Sequence, residues 1–106
     1  AIPLSVDDRV VMVQIEQIIA VEVFENELTV YTPEKNYRLR GQLKKMTERI
    51  NDGNFVQISK NTVINLNHLD SLEAAFSGNM TAFLTDDLKF SVSRKYLSDL
   101  KKQLGM

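Results

Sequence analysis

The sequence predicts a mostly β domain with two short helices, and three observations carry that expectation. Runs of β-branched and aromatic residues four to eight long recur along the chain, divided by Asp, Asn, Gly, Pro and Ser. Apolar residues at helical spacing occur in only two places, Gln42–Ile50 and the stretch after Ser93. Strands do not alternate with helices in the order a parallel sheet requires.

The strand-like runs begin at Ile2–Val6 and Val10–Ile15, with Asp7 and Asp8 as the turn of a hairpin. Ile18–Phe24 and Leu28–Thr32 follow, divided by Glu25, Asn26 and Glu27, and Pro33 and Glu34 suit the turn before Asn36–Arg40. In that last run Tyr37 and Leu39 face one way and Arg38 and Arg40 the other, the pattern of a sheet with one wet side. The first helix, expected over about residues 42–51, sets Leu43, Met46 and Ile50 on one face, with Gly53 placed to end it. Strands return at Phe55–Ser59, Val63–Leu66, Leu69–Phe76, Met80–Leu84 and Leu88–Val92, with hairpin turns at Ser77–Asn79 and Asp86–Asp87. Ser93 is expected to cap a second helix over about 94–104. Its stripe is Tyr96, Leu97, Leu100 and Leu104, and Gly105 is its stop.

With 106 residues, 43% of them apolar, the chain is expected to form one domain around a modest core. It begins at Ala1 almost directly on a strand pattern, which suggests a piece of a longer protein. There is no cysteine, so disulfides, zinc-thiolate sites and cysteine nucleophiles are excluded. No apolar run approaches the roughly 18 residues of a membrane span, and no signal peptide opens the chain. No membrane partner is therefore expected.

A net charge of −1 argues, as an average, against a polyanionic partner, but the charge is polarised along the chain. Residues 1–34 hold seven acids against Arg9, a net of −6, whereas residues 35–60 hold seven cations against Glu48 and Asp52, a net of +5. Residues 61–106 balance at five against five. The same block is read as a basic face or as ordinary solvated charge.

Catalytic groups are scarce. The single histidine, His68, sits between two strands and reads as a surface turn residue. Adjacent acids at Asp7–Asp8 and Asp86–Asp87 are turn chemistry and lack the spaced ligands of a calcium loop. The four glycines are isolated, so no phosphate-cradling loop is present. No enzyme activity, cofactor, metal or small-molecule substrate is expected.

Two polar junctions stand out instead. Ser59, Lys60, Asn61 and Thr62 put four hydrogen-bonding side chains in a row inside FVQISKNTVIN. At the second, the strand ending in Val92 runs through Ser93 into a helix that opens with Arg94 and Lys95. Cations there oppose the helix dipole and cost roughly 0.3–1 kcal/mol each unless an anion is bound. A helix start offers free N–H groups to such an anion. A flexible cation and an amide, as in Lys60 and Asn61, suit phosphates and base edges respectively, although any exposed turn also uses these residue types.

In order and spacing these stretches resemble the LytTR-type DNA-binding domain, the output module of many bacterial response regulators. An arginine-glycine step before a small helix leads there to F-x-x-I-x-[RK]-x-x-x-[VI]-N. It is matched by Arg40, Gly41 and Leu43, then by Phe55, Ile58, Lys60, Ile64 and Asn65. A later V-S-R-x-Y segment is matched by Val92, Ser93, Arg94 and Tyr96. The resemblance runs from Ile2 to Leu104.

It implies an elongated stack of antiparallel β-sheets that reads double-stranded DNA through loops in successive major grooves. Two copies are expected on paired direct repeats upstream of promoters, in the bacterial cytoplasm. By position the family's contact loops fall on Asn26, on Lys60 with Asn61 and the neighbouring Ser59, and on Arg94, with Lys95 adding phosphate charge. The chain departs from the pattern where Glu25 and Glu27 flank Asn26, since carboxylates repel phosphates. It departs again where a lone Lys60 replaces richer basic character and forgoes bidentate contact with guanine.

Two rival readings follow from the residues. One is a β-rich protein-interaction module working through its acidic first third or a strand edge. The other is single-stranded nucleic-acid binding, which needs exposed aromatics in a basic groove. Phe55, Phe76, Phe83, Phe90 and Tyr37 alternate within strand patterns and read as core, which counts against that second rival.

Overall fold

Alternation in the first runs produces a hairpin of β1 (Ile2–Val6) and β2 (Arg9–Val13), turned through Asp7 at φ 54°. The computed structural model describes residues 1–106. A five-stranded antiparallel sheet follows, built from β3 (Ala20–Phe24), β4 (Glu27–Tyr31), β5 (Asn36–Arg40), β6 (Phe55–Ser59) and β7 (Thr62–Asn65). Its order is β5-β4-β3-β7-β6. A third sheet has the order β10-β9-β8, from β8 (Leu69–Ala74), β9 (Met80–Leu84) and β10 (Lys89–Val92). The helices are α1 (Leu43–Ile50) and α2 (Arg94–Gln103).

The central sheet is covered on both faces. Val21, Leu28, Val30 and Val63 point to one side and meet Ile2, Leu4 and Val13 of the hairpin with Leu43, Met46 and Ile50 of α1. Ala20, Val56, Ile58 and Ile64 point to the other and meet Ala82, Leu84, Val92 and Leu100. Two-sided burial is why β7 is buried at all four positions and reads as polar only at its ends. The stack measures 43 × 25 × 23 Å, the elongated antiparallel arrangement expected from the resemblance.

The matched motif residues are largely structural. Phe55, Ile58 and Ile64 lie in the core. Asn65, only 1% exposed, donates from Nδ2 to the carbonyl of Ile18 at 3.0 Å and accepts the N–H of Asn67 at 3.0 Å. Both of its polar functions are thus satisfied where an unpaired amide would be costly. Gly41 sits over Leu28: a Cβ there would lie 2.8 Å from Leu28 Cδ1.

Several expectations are corrected. Helix α1 stops at Asn51, in the left-handed conformation at φ 48°, before Gly53 is reached, because Asn tolerates that conformation better than most residues with a side chain. β2 ends at Val13, and Ile15–Gln17 form a 3-10 turn. His68 is more than a turn residue: Nε2 lies 2.7 Å from the Glu16 carbonyl and Nδ1 lies 2.9 Å from Thr85 Oγ1, joining three separate turns. Phe76 does not belong to the core. β8 ends at Ala74, and Phe76 opens a 3-10 turn and is 93% exposed. Phe83, Phe90 and Tyr37 are only half-buried, which leaves Phe55 as the one fully buried ring of the five.

Candidate nucleic-acid interface

Register brings the polar turns to one end of the molecule. β3 and β4 are joined by Glu25 and Asn26, and β6 and β7 by Lys60 and Asn61. Because β7 pairs with β3, with Glu22 opposite Thr62, both turns fall at the same end of the central sheet. The N–H of Val23 donates to the carbonyl of Asn61 at 2.9 Å and fixes them together. In the order β4-β3-β7-β6 the two turns are about two strand spacings apart, roughly 10 Å.

The start of α2 joins the same end. The N–H of Ser93 donates to the carbonyl of Ile58, two residues before Lys60, at 2.9 Å. Ser93 occupies the N-cap position, yet its hydroxyl makes no cap hydrogen bond, contrary to the capping role expected of it. Arg94 then turns towards the β8–β9 turn: a Cβ built on Gly78 would lie 3.3 Å from its Nε. Arg94, Lys101 and Lys102 line one shallow concavity with Gly78, Leu97, Ser98 and Met106, three cations and no acid. Lys95 is exposed, with its ammonium 5.7 Å from the Tyr96 ring centroid, near enough for a cation–π attraction.

The β6–β7 turn is built locally. A β-bulge between Gln57 and Ser59 offsets the register, and such bulges re-aim the residues that follow. Ser59 Oγ accepts the N–H of Asn61 at 3.3 Å, and Gln57 Nε2 donates to the carbonyls of Ser59 and Lys60 at 3.0 and 3.4 Å. These bonds hold the backbone while Lys60 and Asn61 remain exposed. Lys60 shares a groove with Lys44, Glu48 and Asp52 beside α1, so its field is partly offset by two carboxylates.

The Asn26 turn is more acidic. Glu25 has φ 57°, an uncommon conformation for a glutamate, and the carbonyl of Asn26 accepts the Gly41 N–H at 3.0 Å. Its concavity is lined by Phe24, Glu25, Asn26, Glu27 and Arg40, so Arg40 supplies a cation that the sequence reading did not place beside Asn26. Phe24, 76% exposed, was also missed. Phe76 had a usable signal, since the Ser77–Asn79 turn begins directly after it and leaves no strand for its ring to face.

A model of the LytTr DNA-binding domain family matches residues 8–105 of the chain. The chain belongs to that family. Among curated relatives of this LytTR domain, a sensory transduction protein LytR of Streptococcus agalactiae is 37% identical over 97% of the chain and 42% of its own length. A sensory transduction protein LytT of Enterococcus faecalis is 26% identical over 100% and 44%. The chain therefore spans about two fifths of the length of these relatives. A solved LytTr DNA-binding domain from a Bacillus cereus response regulator superposes with a TM-score of 0.87 over 99% of this chain and 96% of that one. At 17% identity that likeness concerns the fold.

Proposed function

We propose that this LytTR domain is the DNA-binding module of a longer bacterial transcription regulator of the response-regulator type, working in the cytoplasm. It binds double-stranded DNA sequence-specifically, with its turns in major grooves. The observation that carries this reading is the gathering of three exposed polar segments, at Asn26, Lys60–Asn61 and Arg94–Lys95, on one end of a rigid β-stack. Arg94 reads a base edge or clamps a phosphate. Lys60 and Asn61 address a neighbouring groove, Ser59 holds their turn, Lys95 adds phosphate charge, and Asn26 contacts the rim.

On paired direct repeats the domain takes one copy to a repeat, two copies in all. If about three cations neutralise phosphates, log affinity falls with log salt at a slope near −2.7.

Selecting bound duplexes from fragmented genomic DNA, then titrating them by fluorescence anisotropy against random duplexes, tests the reading. Enrichment of one sequence with salt-dependent affinity is expected. No enriched sequence, and no salt-dependent binding at micromolar protein, would overturn it in favour of a protein-interaction module. One observation favours that alternative: Val10 and Met12 on the outer face of the hairpin are 63% and 62% exposed.

A further inference from the structure

The most exposed large apolar side chain of the molecule is Phe76, at 93%. Its position is held by the backbone. The N–H of Ala75 donates to the carbonyl of Asn79 at 2.9 Å, and the N–H of Asn79 donates to the carbonyl of Phe76 at 3.2 Å. Ser77 at φ 61° and Gly78 at φ 78° close the turn tightly enough that the ring is carried at its tip. Gly78, two residues on, lies against the Arg94 side chain. The turn that carries the apolar ring therefore adjoins Arg94 through Gly78, on the end of the molecule proposed to face DNA.

The charge around Phe76 suits a nucleic acid. Residues 74–83 contain no acid, and the adjoining concavity carries Arg94, Lys101 and Lys102. Phe24 is the useful contrast, exposed to 76% but flanked by Glu25 and Glu27. A single ring on a hairpin tip lacks the series of aromatic platforms that single-stranded binders use to stack successive bases. In a major groove the matching apolar feature is the thymine 5-methyl group, and the commonest partner of an arginine is guanine O6 and N7.

We propose that Phe76 is a specificity-determining residue whose ring packs on a thymine methyl group beside the base pair addressed by Arg94. This rests on the DNA-binding reading above. The test begins with a duplex selected by the wild-type domain from a randomised pool, in which each thymine is then replaced singly by deoxyuridine, deleting only the methyl group.

At one thymine the wild type should lose about fourfold in affinity, the loss expected on returning one buried methyl to water. Phe76→Ala should bind the thymine duplex more weakly and should not distinguish thymine from deoxyuridine there, while Phe24→Ala should keep the discrimination. Phe76 is exposed, so its removal leaves the fold intact, and circular dichroism checks this.

Three outcomes overturn the assignment alone: no thymine whose methyl matters, discrimination that survives in Phe76→Ala, or weaker binding by that variant with no dependence on any methyl. The last would instead mark a wedge in the minor groove, where no thymine methyl lies. Failure to enrich any duplex overturns the DNA-binding reading itself.

Discussion

The N–H of Val23 and the carbonyl of Asn61, 2.9 Å apart, tie the end of β3 to the β6–β7 turn, so the Glu25–Asn26 turn moves with Lys60. A carboxylate on one turn is thereby held near whatever polyanion the other engages. Replacing Glu25 and Glu27 together by Gln should tighten DNA binding by roughly 0.2–1 kcal/mol per removed charge at low salt. The gain should shrink as salt rises, because exposed charges are screened. Anisotropy titrations at two ionic strengths measure it, and an unchanged affinity would mean that the Asn26 turn stands off the duplex.

Arg94 and Lys101 line the same concavity but should fail differently. Arg94→Ala should cost about 1–3 kcal/mol on the selected duplex and relax base preference at one position. Lys101→Ala should weaken selected and random duplexes alike and reduce the salt slope by about 1. Parallel titrations of both variants on both duplexes distinguish these patterns. Equal and sequence-independent losses would remove Arg94 from the base-reading role.

Asn65 is tested by stability. Asn65→Ala strands the buried Ile18 carbonyl and the Asn67 N–H and should cost about 1–3 kcal/mol. Asn65→Asp should also destabilise, since its carboxylate can accept from Asn67 but offers nothing to Ile18. Urea denaturation with an unchanged m-value reads both. Native stability in either variant would show that water replaces the lost bonds.

Tyr31 should titrate late. Burial, then the 2.9 Å hydrogen bond its hydroxyl donates to Glu22 and the charge of that carboxylate, pushes the phenol up to about 12, against a smaller lowering by Arg38. A raised folded pKa means that the native state holds the proton longer than the unfolded chain. The associated stability is complete below the usual value of about 10 and is lost as pH rises towards 12. Phenolate absorbance should show one of the three tyrosines ionising last, and Tyr31→Phe should abolish that step. In Glu22→Gln the step should move to lower pH.

Much of the secondary structure was legible because its signals are local. Asp86 and Asp87 both take positive φ, 65° and 59°, as their turn position suggested, and Gly105 closes α2 at φ 78°. Leu43, Met46 and Ile50 are buried as their spacing required. Alternation misled at Phe76, where the turn beginning at Ser77 was the better guide: the last β8 residue with a partner is Ala74, opposite Met80, and the ring lies past it. Arg40 was expected on the wet face of its strand and in the arginine-glycine step but not beside Asn26, which is distant in the chain and becomes close only through the pairing of β4 with β5.

The junctions at Lys60 and Arg94 were picked out from residue type alone, as a run of four polar side chains inside an apolar stretch and as two cations at a helix start; of the four, Ser59 proves to end β6 and Thr62 to open β7 as a buried residue, which leaves Lys60 and Asn61 as the turn. Family membership was carried by the same short motifs, whose apolar members prove to be core residues whose burial depends on their own periodicity. Only the tertiary structure decided that the turns share one end, that Gly78 adjoins Arg94 and that Phe76 is left outside. Those relations rest on the antiparallel pairing of β3 with β7 and on the docking of α2 against β6. Both are contacts between segments far apart in sequence, set by which faces bury together.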